Sequence, residues 1–223
     1  MKKFVVLKFL FLFGLFSSVS GQEPGSKINP GLLTGPWSAK WVAWPYDSGL
    51  EYGVYHFRKS IELEVVPDEF ILHISADNRY RFFVNGDPVC FGPSRGDLLH
   101  WHFESIDIAP FLKSGKNQLA AVVWNFANLK PWAQHTSRTG FILQGNTEDE
   151  QLVNTDKSWK VKKNEAYTPA GAGSETTQGK FTVVGPCDEV DASKYPWGWK
   201  NLEFDDANWP AAKELGLGKP KEV

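Results

Sequence analysis

The side chains best suited to bind a ligand combine hydrogen-bonding groups with flat aromatic rings. They are Arg79, Arg95, Asp97, Asn125 and Asn128, together with Trp101 and Trp132. Amide and charged groups exchange hydrogen bonds with hydroxyls, and an indole ring packs against the apolar face of a sugar. The combination predicts a carbohydrate-recognition surface. A structural role stays open for each residue; Arg79, for example, could form a salt bridge with Asp77 beside a hairpin.

Familiar catalytic motifs are absent from the sequence. It has no Gly-x-Ser-x-Gly, no His-Glu-x-x-His and no phosphate-binding glycine loop. The carboxylates are spread along the sequence without a recognisable spacing. For the acidic cluster at residues 148–150, which lies between two predicted strands, we predict a solvent-exposed turn. A glycosidase needs two carboxylates on opposite sides of a sugar site, and the sequence singles out no such pair. We therefore predict no catalytic residue within this chain.

His100 and His102 are the residues that come nearest to a metal-binding pattern. They lie two apart around Trp101, so on a strand they would share a face. No third ligand with suitable spacing is apparent, which favours a surface pair over a metal site. We predict no cofactor and leave a loop calcium site open.

Arg95, Gly96 and Asp97 form the tripeptide that animal adhesion receptors read. An adhesion signal, part of a site and an ordinary turn are the three interpretations. Gly92, Pro93 and Gly96 favour a bend between strands. We predict that Arg95 and Asp97 fix each other or neighbouring loops, with contact to a glycan or another domain as the alternative.

Alternating apolar and polar residues predict seven or eight short strands. The clearest is residues 79–84, which is followed by Asn85-Gly86, the pair that most readily forms a tight hairpin turn. Residues 118–125 form a nearly all-apolar run, as expected for a strand covered on both faces. Further strands are predicted at 52–64, 69–77, 88–91, 100–103, 139–146, 158–167 and 181–185. The pattern predicts an all-β, antiparallel β-sandwich of the jelly-roll type.

The ends of the chain differ in composition from this region. Lys2 and Lys3 precede an apolar run at residues 4–16 and small residues at 19–21, which is typical of a secretory signal peptide. We predict a signal peptide at 1–21, an extended lead-in at 22–36, the sandwich at 37–215 and a linker-like end at 216–223. Trp37, Trp41 and Trp44 suit either a short helix or an extended segment. The predicted location is secreted or periplasmic, with no membrane span after cleavage.

Composition limits the partners. The net charge is −2, without basic blocks, so we expect no nucleic-acid partner. Aromatic residues make up 14%, with ten Trp against one Met, which suits sandwich cores and sugar-stacking surfaces alike. Export would permit a disulfide, but Cys90 and Cys187 form no framework pattern, and we favour free thiols.

Several stretches together resemble the N-terminal β-sandwich of bacterial α-L-rhamnosidases, in glycoside hydrolase family seventy-eight. They are SADNRYRFFVNG (75–86), GPSRGDLLHW (92–101), DIAPFLKSGKNQLAAVVWN (107–125) and TGFILQG (139–145). The resemblance covers residues 37–215 and implies a galactose-binding-domain-like fold. It also implies a multi-domain enzyme that removes terminal L-rhamnose with carboxylates on a downstream helical barrel.

Because this sequence stops before any such barrel, the resemblance transfers no catalytic residue. We expect the non-catalytic front portion of an exported rhamnosidase-like hydrolase, as a fragment or a truncated chain. A free-standing carbohydrate-binding module, with Trp101 or Trp132 as stacking platform, is the second hypothesis. A structural domain that braces a partner is the third.

Overall fold

The computed structural model describes residues 28–170 and 184–218. The predicted signal peptide lies outside the described residues. So does most of the strand predicted at 181–185. No helix in the described ranges is long and apolar enough to cross a membrane.

The described residues form twelve short strands, which confirms the predicted all-β sandwich. They are β1 (Lys40–Ala43), β2 (Gly53–Leu63), β3 (Ile71–Asp77), β4 (Arg79–Val84), β5 (Asp87–Gly92), β6 (Glu104–Asp107), β7 (Gly115–Asn125), β8 (Gly140–Gly145), β9 (Lys160–Lys163), β10 (Tyr167–Pro169), β11 (Asp188–Val190) and β12 (Lys213–Leu217). Sheet 1 has the order β12-β1-β8-β3-β6, and sheet 2 has the order β5-β4-β7-β2-β9. The strands β10 and β11 pair separately. Within residues 28–170 and 184–218, helical structure is limited to α1 (Gly31–Thr34) and three 3₁₀ turns at Ala109–Phe111, Ala127–Leu129 and Asp149–Val153.

The main core lies between the two sheets, and strand alternation places side chains in it. On β7, Leu119, Ala121 and Val123 face this core, whereas Ala120 and Val122 belong to a second apolar cluster on the outer face of sheet 2. The all-apolar sequence of β7 is thus explained by burial on both faces, as predicted. Burial of this apolar area is the largest favourable contribution to folding.

The β4–β5 hairpin turns at Asn85-Gly86, where both residues have positive φ, 52° and 92°. These angles match the turn type whose twist suits a two-residue hairpin. The Asn85 side chain also donates to the carbonyl of Phe111 at 2.9 Å and to Asn117 at 2.8 Å. The predicted hairpin is confirmed, and its asparagine ties the turn to the start of β7.

Residues 191–212, which we call the C-terminal segment, cover the outer face of sheet 2. The buried Arg58 on β2 forms an ion pair with Asp206 of this segment at 2.7 Å. Asp206 also pairs with Lys160 on β9, at 2.7 Å. The remaining acceptors of the Arg58 guanidinium are the carbonyls of Trp199, Asn201 and Phe204 and the side chain of Gln118. One buried cation thus attaches the segment at several points.

His56 is fully buried beside Arg58, under the same segment. Its ring centroid lies 4.0 Å from that of Trp199, and its Nε2 lies 2.8 Å from the side-chain amide of Asn164. Nδ1 has no partner among the described residues. Burial lowers the pKa of His56 to about 3, because the charged ring would lose its hydration.

Some of the predictions about secondary structure and chain ends differ from the structure. Residues 100–103 form no strand: β6 starts at Glu104, and the preceding backbone is held instead by Ser75 Oγ, which donates to the carbonyl of His102 at 2.7 Å. The predicted extended lead-in contains the short helix α1. Just before this helix, the carbonyl of Asn29 accepts a hydrogen bond from the amide of Leu32 at 2.9 Å. Finally, β12 extends into the predicted linker-like end, because Leu217 pairs with Lys40 of β1.

Candidate functional site

The predicted ligand-binding residues lie at or near one end of the sandwich. Arg79 is the first residue of β4, and Asn125 is the last residue of β7. The strands β4 and β7 are neighbours in sheet 2, and Arg79 pairs with Trp124 at that end, while Asn125 pairs with Gly53 of β2. Arg95, Asp97 and Trp101 belong to the β5–β6 loop, residues 93–103, and Trp132 belongs to the β7–β8 loop, residues 126–139. Antiparallel pairing brings these loops together, but the side chains have different environments.

The Arg-Gly-Asp tripeptide is exposed, and its Asp caps a local turn. Asp97 Oδ1 accepts hydrogen bonds from the amides of Leu99 at 2.7 Å and His100 at 2.9 Å. Its carboxylate also lies 2.8 Å from His100 Nδ1. These bonds, the His100 side chain first, lower the pKa of Asp97 to about 2. Asp97 is therefore fixed to His100, and the predicted contact with Arg95 does not occur among the described residues.

Asn125 is buried and supports the β7–β8 loop, so it is not available on the surface. Its Nδ2 lies 3.2 Å from Thr136 Oγ1, and its Oδ1 accepts from the amide of Ala127 at 2.7 Å. Asn128, in contrast, is exposed. Trp132 is 76% exposed on the same loop, which leaves its indole ring free to stack on a ligand.

Asp77 is the polar residue whose role the sequence did not reveal. Its Oδ2 accepts from the amides of Ser137 at 2.6 Å and Arg138 at 2.9 Å, and its Oδ1 accepts from Asn78 at 2.6 Å. Burial raises the pKa of the Asp77 carboxyl, while these hydrogen bonds oppose the rise. The suggested Arg79–Asp77 salt bridge is wrong: the carboxylate instead holds the β7–β8 loop against β3.

Trp101 lies against the outer face of sheet 1. Its Nε1 donates to Ser75 Oγ at 3.1 Å, and that hydroxyl donates to the carbonyl of His102. Ser75 is on β3 with its side chain directed away from the core, so this pair fixes the β5–β6 loop over the sheet. Two clefts result, one on each side of Trp101.

The first cleft, which we call the Arg138 cleft, has a volume of about 370 Å³. It contains aromatic rings and charged groups together. Its lining is Trp41, Asp77, Leu98, Trp101, Ser137, Arg138 and residues 215–217. Arg138 Nε donates to the carbonyl of Ser48 at 3.0 Å, and its terminal nitrogens have no partner among the described residues. The guanidinium is positioned, and part of it remains free to donate.

The second cleft, which we call the apolar cleft, has a volume of about 610 Å³ and lies between α1 and the β5–β6 loop. Its floor is the outer face of sheet 1. Its lining is Leu32, Leu33, Trp37, Trp41, Ser75, residues 98–103, Ile142 and Gly218. Most of these side chains are aliphatic or aromatic, and Ser75, His100 and His102 add polar groups.

The described residues contain no group of three or more His, Cys, Asp and Glu side chains that could hold a metal ion. His100 is paired with Asp97, and His102 is exposed on the loop. Cys90 and Cys187 are both free thiols. Burial raises the pKa of the Cys90 thiol to about 12, so this thiol is not activated.

Comparison with models of protein families shows to which family this chain is related. Residues 67–222 match the family model described as the alpha-L-rhamnosidase N-terminal domain. The chain belongs to this family. The rhamnosidase-family resemblance predicted from four sequence stretches is therefore confirmed.

Relatives of this rhamnosidase N-terminal domain are much longer proteins. An alpha-L-rhamnosidase of Streptomyces avermitilis is 29% identical over 164 residues, which span 70% of this chain and 12% of that protein. The GH78 family rhamnosidase of Bacillus sp. GL1 has a structure that superposes with a TM-score of 0.70 at 27% identity, over 82% of this chain and 19% of that one. A lectin of Pleurotus ostreatus shares the fold alone, with a TM-score of 0.50 at 20% identity over 82% of this chain and 44% of the lectin. The chain thus spans less than a fifth of each of these two rhamnosidases.

Proposed function

We propose that this domain is the non-catalytic N-terminal sandwich of an exported α-L-rhamnosidase-like hydrolase that acts on rhamnose-containing glycans. The observation that carries the proposal is the family match over residues 67–222 together with coverage of 12% and 19% of two rhamnosidases. In this proposal residues 1–21 direct export to the periplasm or the medium, and a domain encoded downstream supplies the catalysis.

The carboxylates beside the two clefts support a non-catalytic role. A glycosidase needs a protonated acid and an ionised base or nucleophile that both face the sugar. Asp77 Oδ2 accepts from two amides of the β7–β8 loop, and its Oδ1 accepts from the side chain of Asn78. Asp97 is fixed to His100 and to two backbone amides. Neither carboxylate is placed to exchange a proton with a substrate.

Activity of the chain alone tests this proposal. The purified chain should release no chromophore from a chromogenic α-L-rhamnoside above the rate of a heat-denatured sample. Turnover that disappears in an Asp77→Asn variant of unchanged melting temperature would contradict the non-catalytic role. Sequencing the DNA that follows codon 223 provides an independent check, and we expect it to encode a helical domain.

A carbohydrate-binding role is the second candidate, and the Arg138 cleft favours it. Trp41 and Trp101 offer ring faces, and the free guanidinium nitrogens of Arg138 offer donors for sugar hydroxyls. Such a mixture of flat apolar surface and a few directed polar groups is typical of small-ligand sites. Trp132 and Arg95, exposed on two loops at the same end, would extend the contact surface to a longer glycan.

Calorimetric titration with L-rhamnose and rhamnose-rich oligosaccharides tests the second candidate. An Arg138→Ala variant should bind at least about tenfold more weakly, because a hydrogen bond to a charged group contributes roughly 1.5–3 kcal/mol. Arg81→Ala is the matched control, since Arg81 is exposed on β4 and does not line the cleft. Absence of heat with wild-type protein, or equal loss in both variants, would rule out glycan binding at this cleft.

A further inference from the structure

The Arg138 side chain is attached to the loop between β1 and β2, residues 44–52, which we call the β1–β2 loop. Its Nε donates to the carbonyl of Ser48 at 3.0 Å. Thr139, the next residue, bonds the same loop. Its amide donates to the carbonyl of Gly49 at 2.8 Å, and its hydroxyl donates to that carbonyl at 3.0 Å. Two consecutive residues of the chain therefore fasten the β7–β8 loop region to the β1–β2 loop beside the Arg138 cleft.

The β1–β2 loop is itself attached to sheet 2. Asp47 Oδ1 accepts from the amide of Gly49 at 3.0 Å, and Asp47 Oδ2 accepts from the hydroxyl of Tyr55 at 2.8 Å. Lys163 Nζ on β9 lies 3.1 Å from the same Oδ2. Because Tyr55 is fully buried on β2, this carboxylate connects the loop to the core. The carbonyl that accepts from Arg138 is thus carried by a loop with its own supports.

Gly49 is the residue that lets Arg138 come this close. Its φ of 74° lies in the left-handed region, where a residue with a side chain is strained. A Cβ at this position would lie 2.9 Å from Arg138 Cγ and 3.4 Å from the amide nitrogen of Thr139. Two non-bonded carbons pack best at roughly 3.5–4.0 Å. A side chain at residue 49 would therefore displace the stem of the arginine.

We propose that Gly49 is a positioning residue, which sets the place of the Arg138 guanidinium in the Arg138 cleft. The bond to Ser48 uses one of the five N–H groups of the guanidinium and leaves those on the terminal nitrogens for a ligand. A side chain at residue 49 would break this bond, while Trp41 and Trp101 would keep their places in the cleft. The effect on glycan binding rests on the proposed role of this cleft, whereas the position of the guanidinium can be measured without a ligand.

NMR of the purified, ligand-free chain tests the position of the guanidinium. The hydrogen bond to Ser48 should slow the exchange of the Arg138 Nε proton with water, and Gly49→Ala should make that exchange at least about fivefold faster. Gly115→Ala is the matched control. Gly115 also has a positive φ, 85°, and an added Cβ there would meet nothing within 4 Å among the described residues. It imposes similar backbone strain without a collision, so the Arg138 signal should stay as in wild type.

Calorimetric titration with rhamnose-rich oligosaccharides tests the effect on binding. Gly49→Ala should weaken binding by about fivefold to tenfold, because a guanidinium that is no longer held must be ordered by the ligand. Gly115→Ala should bind as wild type does. In an Arg138→Ala background the colliding Cγ is absent, so the further change Gly49→Ala should weaken binding no more.

The same pair of changes gives a reading from stability if Gly49→Ala alone is too unstable for NMR. The double variant Gly49→Ala/Arg138→Ala should then recover a urea midpoint close to that of Gly115→Ala, because only the backbone strain remains. A double variant no more stable than Gly49→Ala would overturn the proposal, since the collision with Arg138 would not be the cause.

Two other results would overturn the positioning role of Gly49. One is equal exchange of the Arg138 Nε proton in wild type and Gly49→Ala. The other is faster exchange in both glycine variants, which would assign the effect to backbone strain. Faster exchange in Gly49→Ala alone, together with no heat from any glycan, would support the positioning role and contradict glycan binding at the cleft.

Discussion

The two outer faces of the sandwich are covered by the rest of the chain to different extents. On sheet 2, the C-terminal segment covers Val54, Phe83, Ala120 and Val122 with Trp199 and Trp209, and buried polar groups attach it. On sheet 1, α1 and the β5–β6 loop cover only part of the face, and the two clefts remain, one on each side of Trp101. One face is closed by the protein itself, and the other presents an aromatic surface to solvent.

This contrast separates stability from recognition. Arg58 and His56 are charged or ionisable groups that are fully surrounded by protein, so any change to their partners is expected to affect folding. Leu33, Leu98 and Arg138 are exposed at the clefts and contribute little to the core. Variants on the outer face of sheet 2 should therefore change the free energy of unfolding. Variants at the clefts on sheet 1 should change ligand binding and leave unfolding nearly unchanged.

The largest effect is expected where the C-terminal segment is attached. Asp206→Ala removes the carboxylate that pairs with both Arg58 and Lys160 and leaves a guanidinium buried without its counter-charge. We expect a loss of about 3–5 kcal/mol in the free energy of unfolding, measured in urea. Asp205→Ala is the control: Asp205 is exposed and bonds only the local amide of Ala207. Equal losses in the two variants would contradict the role given to the Arg58 pair.

A smaller, pH-dependent effect is expected from His56 on the same face. The unfolded chain takes up a proton near pH 6.5, whereas folded His56 does so only near pH 3. Stability is therefore full above about pH 6.5 and falls as the pH drops towards 3. From this group alone, the loss between pH 7 and pH 5 should be about 2 kcal/mol.

His56→Gln keeps a side-chain amide beside Asn164 and removes the titration. Urea unfolding at pH 7 and pH 5 should show a smaller pH dependence in this variant than in wild type. Burial also lowers the pKa of His73, so a residual slope of the same sign is expected. His135→Gln, at an exposed position, should retain the wild-type slope. An unchanged slope in His56→Gln would rule out His56 as the cause.

The smallest effect on unfolding is expected at the exposed loop over sheet 1. Asp97→Ala removes a turn cap from the amides of Leu99 and His100 but leaves the core contacts intact. The urea midpoint should stay close to that of wild type. Hydrogen exchange of these two amides, followed by NMR, should become faster. Unchanged exchange rates would show that the Asp97 side chain does not hold this turn. Cell adhesion should be the same with the Asp97→Ala variant as with wild type.

Local patterns were the features that the sequence could predict. Alternation on β2, β3 and β4, the apolar run of β7 and the Asn85-Gly86 turn depend on neighbouring residues, and the structure contains each of these elements. The partners of buried polar residues could not be predicted in this way. Arg58 and Asp206 lie 148 positions apart, and only the tertiary fold brings them into contact.

The candidate site was only partly predictable for the same reason. The sequence placed aromatic and polar residues in loops, and the sandwich brings those loops to one end. It did not distinguish Asn125, which is buried as a loop support, from Trp132, which is exposed. It also missed Arg138, because an arginine carries no local signal that it lies beside Trp41 and Trp101 in a cleft.

The pairing of β1 with β12 has a consequence for how the chain folds during synthesis. Lys40 and Leu217 are partners at the edge of sheet 1, so this edge closes only when the last strand has been made. At roughly 5–20 residues per second, β1 waits on the order of ten seconds for its partner. Trp37 and Trp41 remain uncovered by β12 for that time, and contacts this distant in sequence also form slowly once both strands exist. Until β12 pairs, the open edge of β1 exposes unpaired backbone groups, and such an edge favours aggregation of the nascent chain.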